Sequence, residues 1–259
     1  MKVRVLGCSG AELPNFSPPA FLIDNSILLD AGTTTAHLKE SEQRKISYIL
    51  TTHTHLDHIR GIPSLADNML LRNGKHMIIL IGIREVLRML KKNLFNNVIW
   101  PDFTKIPSQE QPALSLKIIT AGKSFQINSH RVTAEKVNHS VTAVGYIIEN
   151  SEGKRLIYTG DSGPTSRLWK TANRETKTKA IDAVIIEVTF PNSMREKAVA
   201  TGHFTPAMLS DELKKLKLPP KKIFITHIKP QFLNIISGEL RRLKLKNLTI
   251  LKQGKTYII

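Results

Sequence analysis

The chain has 259 residues, 41% of them hydrophobic and 23% charged, a composition typical of a folded globular domain. It has no run of 18 apolar residues, one cysteine and no recognisable signal peptide, so we predict a cytoplasmic protein without membrane contact or disulfides. The net charge of +17 favours phosphate-bearing ligands and allows RNA as a partner, although a solvated lysine-rich surface explains it equally well.

Short apolar runs bounded by turn residues predict buried strands along the whole chain. Helical periodicity appears at residues 83–94, 206–216 and 232–243, and the three prolines within 96–112 predict a long loop. No Gly- or Ser-rich linker divides the chain, so we expect one layered α/β domain over residues 1–259. The predicted strands are 3–6, 27–29, 46–50, 77–81, 132–137, 144–148, 156–158, 183–186 and 223–225.

Metal-ligand side chains are concentrated in THTHLDHIRG at residues 52–61, directly after the predicted strand 46–50. Alternate side chains of an extended segment point the same way, so His53 and His55 can bind one cation together. Asp57 and His58 then face a second cation. Imidazole and carboxylate ligands suit zinc, and also manganese or iron. The motif therefore predicts a centre for two divalent metal ions.

A six-residue motif cannot fill two coordination spheres, so other parts of the chain must supply ligands. His139, Asp161 and His227 each follow an apolar strand and a short polar stop, and we predict that they complete the centre. Cys8 stands alone beside the first strand and is predicted to be a buried thiol. The remaining histidines without a paired ligand are predicted to be surface or packing residues: His37, His76 and His130.

The motif and the three later ligands resemble the signature of the metallo-β-lactamase superfamily. The resemblance implies an αββα sandwich, with two central mixed β-sheets flanked by helices and the metals at one edge. It also implies how the ligands divide: His53, His55 and His139 on one metal, Asp57, His58 and His227 on the other, and Asp161 as the bridge.

Within this superfamily, residues 1–230 resemble the class II cyclic nucleotide phosphodiesterases. The resemblance implies hydrolysis of 3′,5′-cyclic AMP or GMP to nucleoside 5′-monophosphates by a metal-bridging hydroxide. The superfamily often forms homodimers, although no sequence signal indicates one here. The matching stretches are HTHLDHIRG at 53–61, FNNVIWPDF at 95–103, TGDSGPT at 159–165, EVTFPNS at 187–193, TGHFTP at 201–206 and ITHIKP at 225–230.

Three side chains are assigned roles in the reaction. Asp57 is expected to orient the attacking water as well as bind metal. His203 is expected to bind the phosphate or protonate the leaving oxygen, or else to form a helix-entry hydrogen bond with Thr205. Glu187 is expected to orient His203 and raise its pKa, or else to cap a turn. Trp100 and Phe103 are predicted to stack on a purine base, with an ordinary hydrophobic plug as the alternative.

Three other functions remain open. A transfer-RNA 3′-end-processing nuclease of the same superfamily fits the charge and the EVTF stretch, but only 22 positions separate His139 from Asp161, too few for its RNA-binding arm. A lactonase or β-lactamase-like hydrolase would have less need of Glu187 and His203. If the protein only bound nucleotides or nucleic acid without catalysis, some metal-ligand positions would be expected to hold other residues. Here every metal-ligand position is filled.

Overall fold

The computed structural model describes residues 1–70, 76–175 and 179–259. Within these ranges the strands form two mixed sheets of seven, as predicted. The first sheet has the order β14-β1-β2-β3-β4-β5-β6, and the second has the order β13-β12-β11-β10-β9-β8-β7. The strands are β1 (Lys2–Gly7), β2 (Ala20–Ile23), β3 (Ile27–Leu29), β4 (Tyr48–Leu50), β5 (Ile78–Ile83), β6 (Leu114–Ile119), β7 (Ser124–Ile127), β8 (His130–Val137), β9 (Ala143–Glu149), β10 (Arg155–Tyr158), β11 (Ala183–Glu187), β12 (Ile223–Thr226), β13 (Leu248–Ile250) and β14 (Thr256–Ile258).

Helices cover the outer faces of both sheets. Residues of α3 and α4 pack in the core of the first sheet, and residues of α5, α7 and α8 pack against the second. No helix in the described ranges has the length and apolar character needed to cross a membrane. The helices are α1 (Glu40–Gln43), α2 (Leu56–Ile59), α3 (Gly61–Leu70), α4 (Arg84–Asn93), α5 (Arg167–Glu175), α6 (Arg195–Thr201), α7 (Pro206–Leu213) and α8 (Leu233–Arg242).

Strand β11 shows how the layers are built. Its residues alternate between two apolar clusters: Ala183 and Ile185 face the core between the sheets, whereas Val184 and Ile186 face the helices outside. Because successive side chains of a strand point to opposite faces, a strand that is apolar throughout is buried on both sides. The continuous apolar run 183–186 is therefore the sequence signature of a central layer in the sandwich.

The topology brings the carboxyl ends of several strands to one edge. In the first sheet β3 to β6 are parallel, and in the second β10 to β13 are parallel. Strand β8 runs in the same direction as β10, because both pair antiparallel with β9. Loops that follow β3, β4, β8, β10, β11 and β12 consequently meet at this edge, where open α/β sheets commonly bind ligands.

Candidate metal centre

The metal motif connects β4 to α2 and is held by close backbone packing. His55 caps α2, and the His58 carbonyl accepts a hydrogen bond of 2.8 Å from the Ala31 N–H. A Cβ atom on Gly32 would lie 1.8 Å from the carbonyl oxygen of Asp57, so only glycine fits there. The turn after β3 thus fixes the start of the helix that carries Asp57 and His58.

The structure brings all seven predicted ligands together in two groups. In each group the ligand atoms lie within 4.8 Å of one another, and Asp161 belongs to both. Its Oδ1 lies 3.3 Å from His58 Nε2, and its Oδ2 lies 3.2 Å from His227 Nε2. The first group is His53, His55, His139 and Asp161, and the second is Asp57, His58, Asp161 and His227. This division matches the one that the resemblance implied, although the ligand roles themselves remain predictions.

Two buried nitrogen atoms indicate that the site fits metal ions. The Nε2 atoms of His53 and His58 are buried and have no hydrogen-bond partner among the described residues. An unsatisfied buried polar atom costs free energy unless something else binds it. Both atoms face Asp161, at 3.9 Å from His53 and 3.3 Å from His58. A cation between these donors would satisfy them, so the donor set fits divalent metals.

The other ring nitrogen of four histidines is already engaged, which leaves Nε2 for the centre. This arrangement is the usual outer support of a metal-binding imidazole, because it fixes the tautomer and the ring orientation. His55 differs, since its Nδ1 faces His139 Nε2 at 3.2 Å. The Nδ1 partners are Thr52 Oγ1 for His53, Asp30 Oδ2 for His58, the Gly202 carbonyl for His139 and Thr189 Oγ1 for His227, at 2.7–3.0 Å.

Asp30 is a positioning residue that our sequence analysis missed. It is fully buried and accepts four hydrogen bonds, from Thr52 N, Thr52 Oγ1, His58 Nδ1 and Tyr158 Oη, at 2.7–2.8 Å. Because Thr52 Oγ1 donates to Asp30, it is left to accept a hydrogen bond from His53 Nδ1. One carboxylate therefore orients His58 directly and His53 through Thr52.

Asp30→Asn is expected to weaken metal binding by about 10- to 100-fold, because the amide cannot accept all of these hydrogen bonds. A competition titration of metal against a chromophoric chelator measures the affinity. Asp24→Asn is the control, since Asp24 lies in the turn before β3, at the opposite end of this strand from Asp30, and accepts a hydrogen bond from His130 Nε2 at 3.0 Å, away from the centre. Unchanged affinity in Asp30→Asn would show that this carboxylate does not support the ligands.

Glu187 is a positioning residue for His203 and His227, as Asp30 is for His58 and His53. It is fully buried at the end of β11, and its Oε1 lies 2.6 Å from His203 Nδ1. Its Oε2 accepts a hydrogen bond of 2.7 Å from Thr189 Oγ1, which is in turn 2.8 Å from His227 Nδ1. Glu187 thus orients His203 directly and His227 through Thr189. The predicted contact between Glu187 and His203 is present, and Thr189 is a second positioning residue that the sequence analysis missed.

His203 belongs to neither group around Asp161, and it forms a third cluster of possible ligand side chains with Glu187 and His227. Its ring stacks on that of His227 with centroids 5.4 Å apart and meets the ring of His139 at 5.1 Å. Burial lowers the pKa of His203, but the charge and hydrogen bond of Glu187 outweigh burial and hold that pKa above its ordinary value. Thr205 caps α7 through Met208 N instead of binding His203.

The carboxylates of the centre are held in their charged forms. Burial alone would raise the pKa of Asp161, but His227 and His58 bring it well below its usual range. Burial also acts against ionisation of Asp57, and the hydrogen bond from His227 together with the charge of His58 more than reverses the effect on its pKa. Burial, followed by the charge of His58, lowers the pKa of His53. Ionised carboxylates and a neutral imidazole are the forms that bind metal.

The structure corrects the predicted role of Phe103. Its side chain is 1% exposed and packs edge-on against Phe95 with ring centroids 6.4 Å apart, so it cannot stack on a substrate base. It is a hydrophobic plug because the loop after α4 folds inward at this residue. Trp100 of the same loop is 37% exposed. The neighbouring Ile99 lines a cavity of about 270 Å³ together with Leu56 of the metal motif, so this loop adjoins the centre.

The remaining histidines lie outside the two groups of ligands. His37 binds Ser17 Oγ, His76 binds the Ile46 carbonyl and His130 binds Asp24, at 2.7–3.0 Å. Cys8 is half-buried, and burial raises the pKa of its thiol to about 12. A thiol with so high a pKa is a poor nucleophile and a poor metal ligand at neutral pH. The three histidines lie where surface or packing residues are expected, whereas Cys8 is half-buried and not fully buried as expected.

Comparison with known proteins agrees with the geometry. A family model described as a beta-lactamase superfamily domain matches residues 25–228. A probable 3′,5′-cyclic-nucleotide phosphodiesterase of Yersinia pestis is 25% identical over 209 residues, which are 73% of this chain and 59% of that protein. A ribonuclease Z of Archaeoglobus fulgidus is 22% identical, with 89% of this chain and 88% of that protein covered.

Among solved structures, unliganded yeast PDE1 superposes with a TM-score of 0.83 at 18% identity, covering 100% of this chain and 99% of that one. Identity this low supports the fold alone, and it confirms the predicted αββα arrangement of two mixed sheets flanked by helices. The Yersinia pestis match leaves about two fifths of that protein unmatched, so its name alone does not assign a substrate. On the family model and the fold together, the chain belongs to the metallo-β-lactamase superfamily.

Proposed function

We propose that the protein is a metal-dependent phosphodiesterase that hydrolyses 3′,5′-cyclic nucleotides to nucleoside 5′-monophosphates. The observation that carries the proposal is the Glu187–His203 pair, 2.6 Å apart, directly beside a centre that fits two metals. Zinc, manganese and iron all suit this donor set. A cytoplasmic location, a homodimer and a single domain over residues 1–259 remain predictions.

Lewis-acid activation of water and neutralisation of charge on phosphoryl oxygens are what two divalent cations supply at such a centre. Asp57 is partly exposed, with 35% of its side chain open to solvent, whereas Asp161 is buried. Asp57 can therefore accept a hydrogen bond from the attacking water and orient it towards phosphorus. Asp161 belongs to both groups of ligands and therefore positions the two groups relative to each other.

His203 is suited to protonate the leaving oxygen. Hydrolysis adds water across the P–O3′ bond, and the departing ribose 3′-oxygen must gain a proton. Glu187 engages His203 Nδ1 and favours the charged imidazolium, which leaves Nε2–H as the donor. The leaving alkoxide is a strong base, so a positioned acid lowers the barrier of this step.

Support from similar proteins points the same way. The Yersinia pestis protein is described as a probable 3′,5′-cyclic-nucleotide phosphodiesterase, and a similar protein of Aliivibrio fischeri carries the same activity in its name. The fold agrees with yeast PDE1 over the whole chain. The two named phosphodiesterases support the substrate class, the yeast structure supports the fold alone, and the pair of His203 with Glu187 supports the reaction type.

Processing of transfer-RNA 3′ ends is the second candidate function. The net charge of +17 and the likeness to ribonuclease Z favour it. Against it, the residues between His139 and Asp161 form only β9, a tight turn and β10, with no protruding arm for RNA. We therefore rank it below cyclic nucleotide hydrolysis.

Steady-state hydrolysis of cyclic AMP and cyclic GMP, run beside a 3′-extended transfer RNA, tests the proposal. The zinc- and manganese-loaded proteins are each expected to convert the cyclic nucleotides to 5′-monophosphates, identified by chromatography. Trimming of the RNA with negligible turnover of both cyclic nucleotides would instead support the second candidate. A bis(4-nitrophenyl) phosphate assay serves as the control that the preparation is active on phosphodiesters.

A further inference from the structure

A cavity of about 480 Å³ lies beside the metal centre but is lined by none of the seven metal-ligand candidates. It opens between the segment that follows β1, the carboxyl ends of β12 and β13, and helix α8. Its volume falls within the range of about 300–1,000 Å³ that is typical of small-molecule sites. The reaction proposed above gives this cavity no role.

The floor of the cavity is apolar and its rim is polar. Phe16, Ile228, Leu233 and Ile250 contribute apolar surface. Asn234 and Ser237 of α8 contribute amide and hydroxyl groups, whose side chains have no hydrogen-bond partner in the parts of the chain that the structure describes. An apolar enclosure with a few convergent polar groups is the usual composition of a ligand site.

The charge at the rim has one sign. Arg241 and Lys252 line the cavity, and no Asp or Glu does. Most of the buried or half-buried carboxylates within residues 1–70, 76–175 and 179–259 are paired with other cations. Neither Arg241 nor Lys252 has an ion-pair partner in these ranges. Arg241 and Lys252 are both exposed and come from different parts of the chain, the end of α8 and the second residue after β13. The rim therefore attracts an anion to the mouth of an apolar cavity.

The inner wall of the cavity supports a metal ligand. The carbonyl oxygen of Cys8 accepts hydrogen bonds from His227 N at 2.7 Å and from Thr226 Oγ1 at 3.1 Å. His227 has a φ of 62°, a conformation that non-glycine residues seldom adopt unless their surroundings impose it. Cys8, Thr226 and Ile228 all line the cavity. A ligand there would contact the segment that imposes the backbone conformation of His227.

We propose that this cavity is a second binding site for a small organic anion. The apolar or aromatic body of the ligand packs on Phe16, Ile228 and Leu233, and its phosphate, carboxylate or sulfonate group binds Arg241 and Lys252. The site is separate from the phosphodiester substrate site, so it stands whether or not cyclic nucleotides are the substrate.

The test uses two probes that share one aromatic body. 1-Anilinonaphthalene-8-sulfonate carries the anion, and N-phenyl-1-naphthylamine lacks it. Fluorescence titration of the metal-loaded protein is expected to give saturable binding of one sulfonate probe per chain, about tenfold tighter than binding of the neutral probe. The double variant Arg241→Ala, Lys252→Ala is expected to bind both probes equally. Arg242→Ala, next along the helix and outside the cavity lining, is the matched control and should retain the difference.

A cavity-filling variant, Asn234→Trp, keeps the test decisive, because Asn234 lines this cavity but not the neighbouring one that Arg241 and Lys252 also line. It is expected to abolish the saturable binding, while its thermal unfolding and metal content report that the fold is intact. Binding that survives Asn234→Trp would place the probe elsewhere and overturn the proposal. Equal affinity of wild-type protein for the two probes, or absence of saturable binding, would also overturn it.

Discussion

Asp161→Ala is expected to abolish hydrolysis, with kcat/KM lowered by at least about 10³-fold, more than the loss of a single hydrogen-bond donor to a transition state usually costs. Asp161 is 2% exposed and lies within 3.2–3.9 Å of the Nε2 atoms of His53, His58 and His227. Its removal takes an anionic ligand from both groups at once. We therefore expect the bound metal to fall together with the activity, as measured by elemental analysis after dialysis.

Asp182→Ala is the matched control for this variant. Asp182 is also a buried carboxylate, 3% exposed, but it pairs with Lys221 at 2.9 Å and with Lys154 at 3.6 Å, away from the ligands. Its loss should lower thermal stability without changing the metal content per folded protein. If Asp161→Ala kept both its metal and its activity, the assignment of Asp161 to both metals would be wrong.

His203→Ala is expected to lower kcat for cyclic AMP by about 10²- to 10⁴-fold, the usual contribution of a general acid. The metal content should stay unchanged, because His203 belongs to neither group around Asp161. The leaving group distinguishes the role of this residue. With bis(4-nitrophenyl) phosphate the leaving 4-nitrophenolate needs no proton, so the variant should lose much less activity than with cyclic AMP.

A uniform loss with both substrates would contradict the acid role and indicate that His203 binds the phosphate instead. Glu187→Gln provides a graded comparison, since the amide keeps a hydrogen bond to His203 but removes the charge that raises its pKa. It is expected to show the same substrate dependence as His203→Ala, with a smaller loss. Loss of metal in His203→Ala would show that the residue supports the ligands themselves.

The clustering of the seven candidate ligands could be predicted because its signal is local. Four of the seven lie within residues 53–58, and the other three each follow an apolar run that the structure shows as β8, β10 or β12. Strand ends at one edge of a sheet bring such residues together regardless of their distance along the chain. The predicted strands 183–186 and 223–225 match β11 and β12 to within a residue, because an apolar run is also a local signal.

The positioning residues could not be predicted because their signal is not local. In the sequence Asp30 is only a polar residue before Ala31-Gly32 at the end of the predicted strand 27–29, whereas its role depends on His58, 28 residues away, and Tyr158, 128 residues away. Thr189 likewise depends on His227, 38 residues away. Asp30 reaches Tyr158 only when the two sheets pack together, and Thr189 reaches His227 only when β11 and β12 pair within the second sheet.

Secondary structure was missed where local preferences were weak or short. Helix α3 begins with Gly61, a poor helix former, while Pro63 is tolerated because it lies in the first turn. The stability of this helix comes from the burial of Ile62, Leu65 and Met69. Strand β2 has only four residues and follows two prolines. The base-stacking role assigned to Phe103 was wrong for a related reason. An aromatic residue in a predicted loop is expected to be exposed to a ligand, but this loop folds Phe103 into the core.

Metal reconstitution tests whether the protein is a two-metal phosphodiesterase. The protein is stripped of metal with a chelator, and cyclic AMP hydrolysis is followed as zinc or manganese is added in known equivalents. We expect no activity without metal and a rise that levels off at two equivalents per chain. Full activity after metal removal, a plateau at one equivalent, or no turnover at any metal content would contradict it.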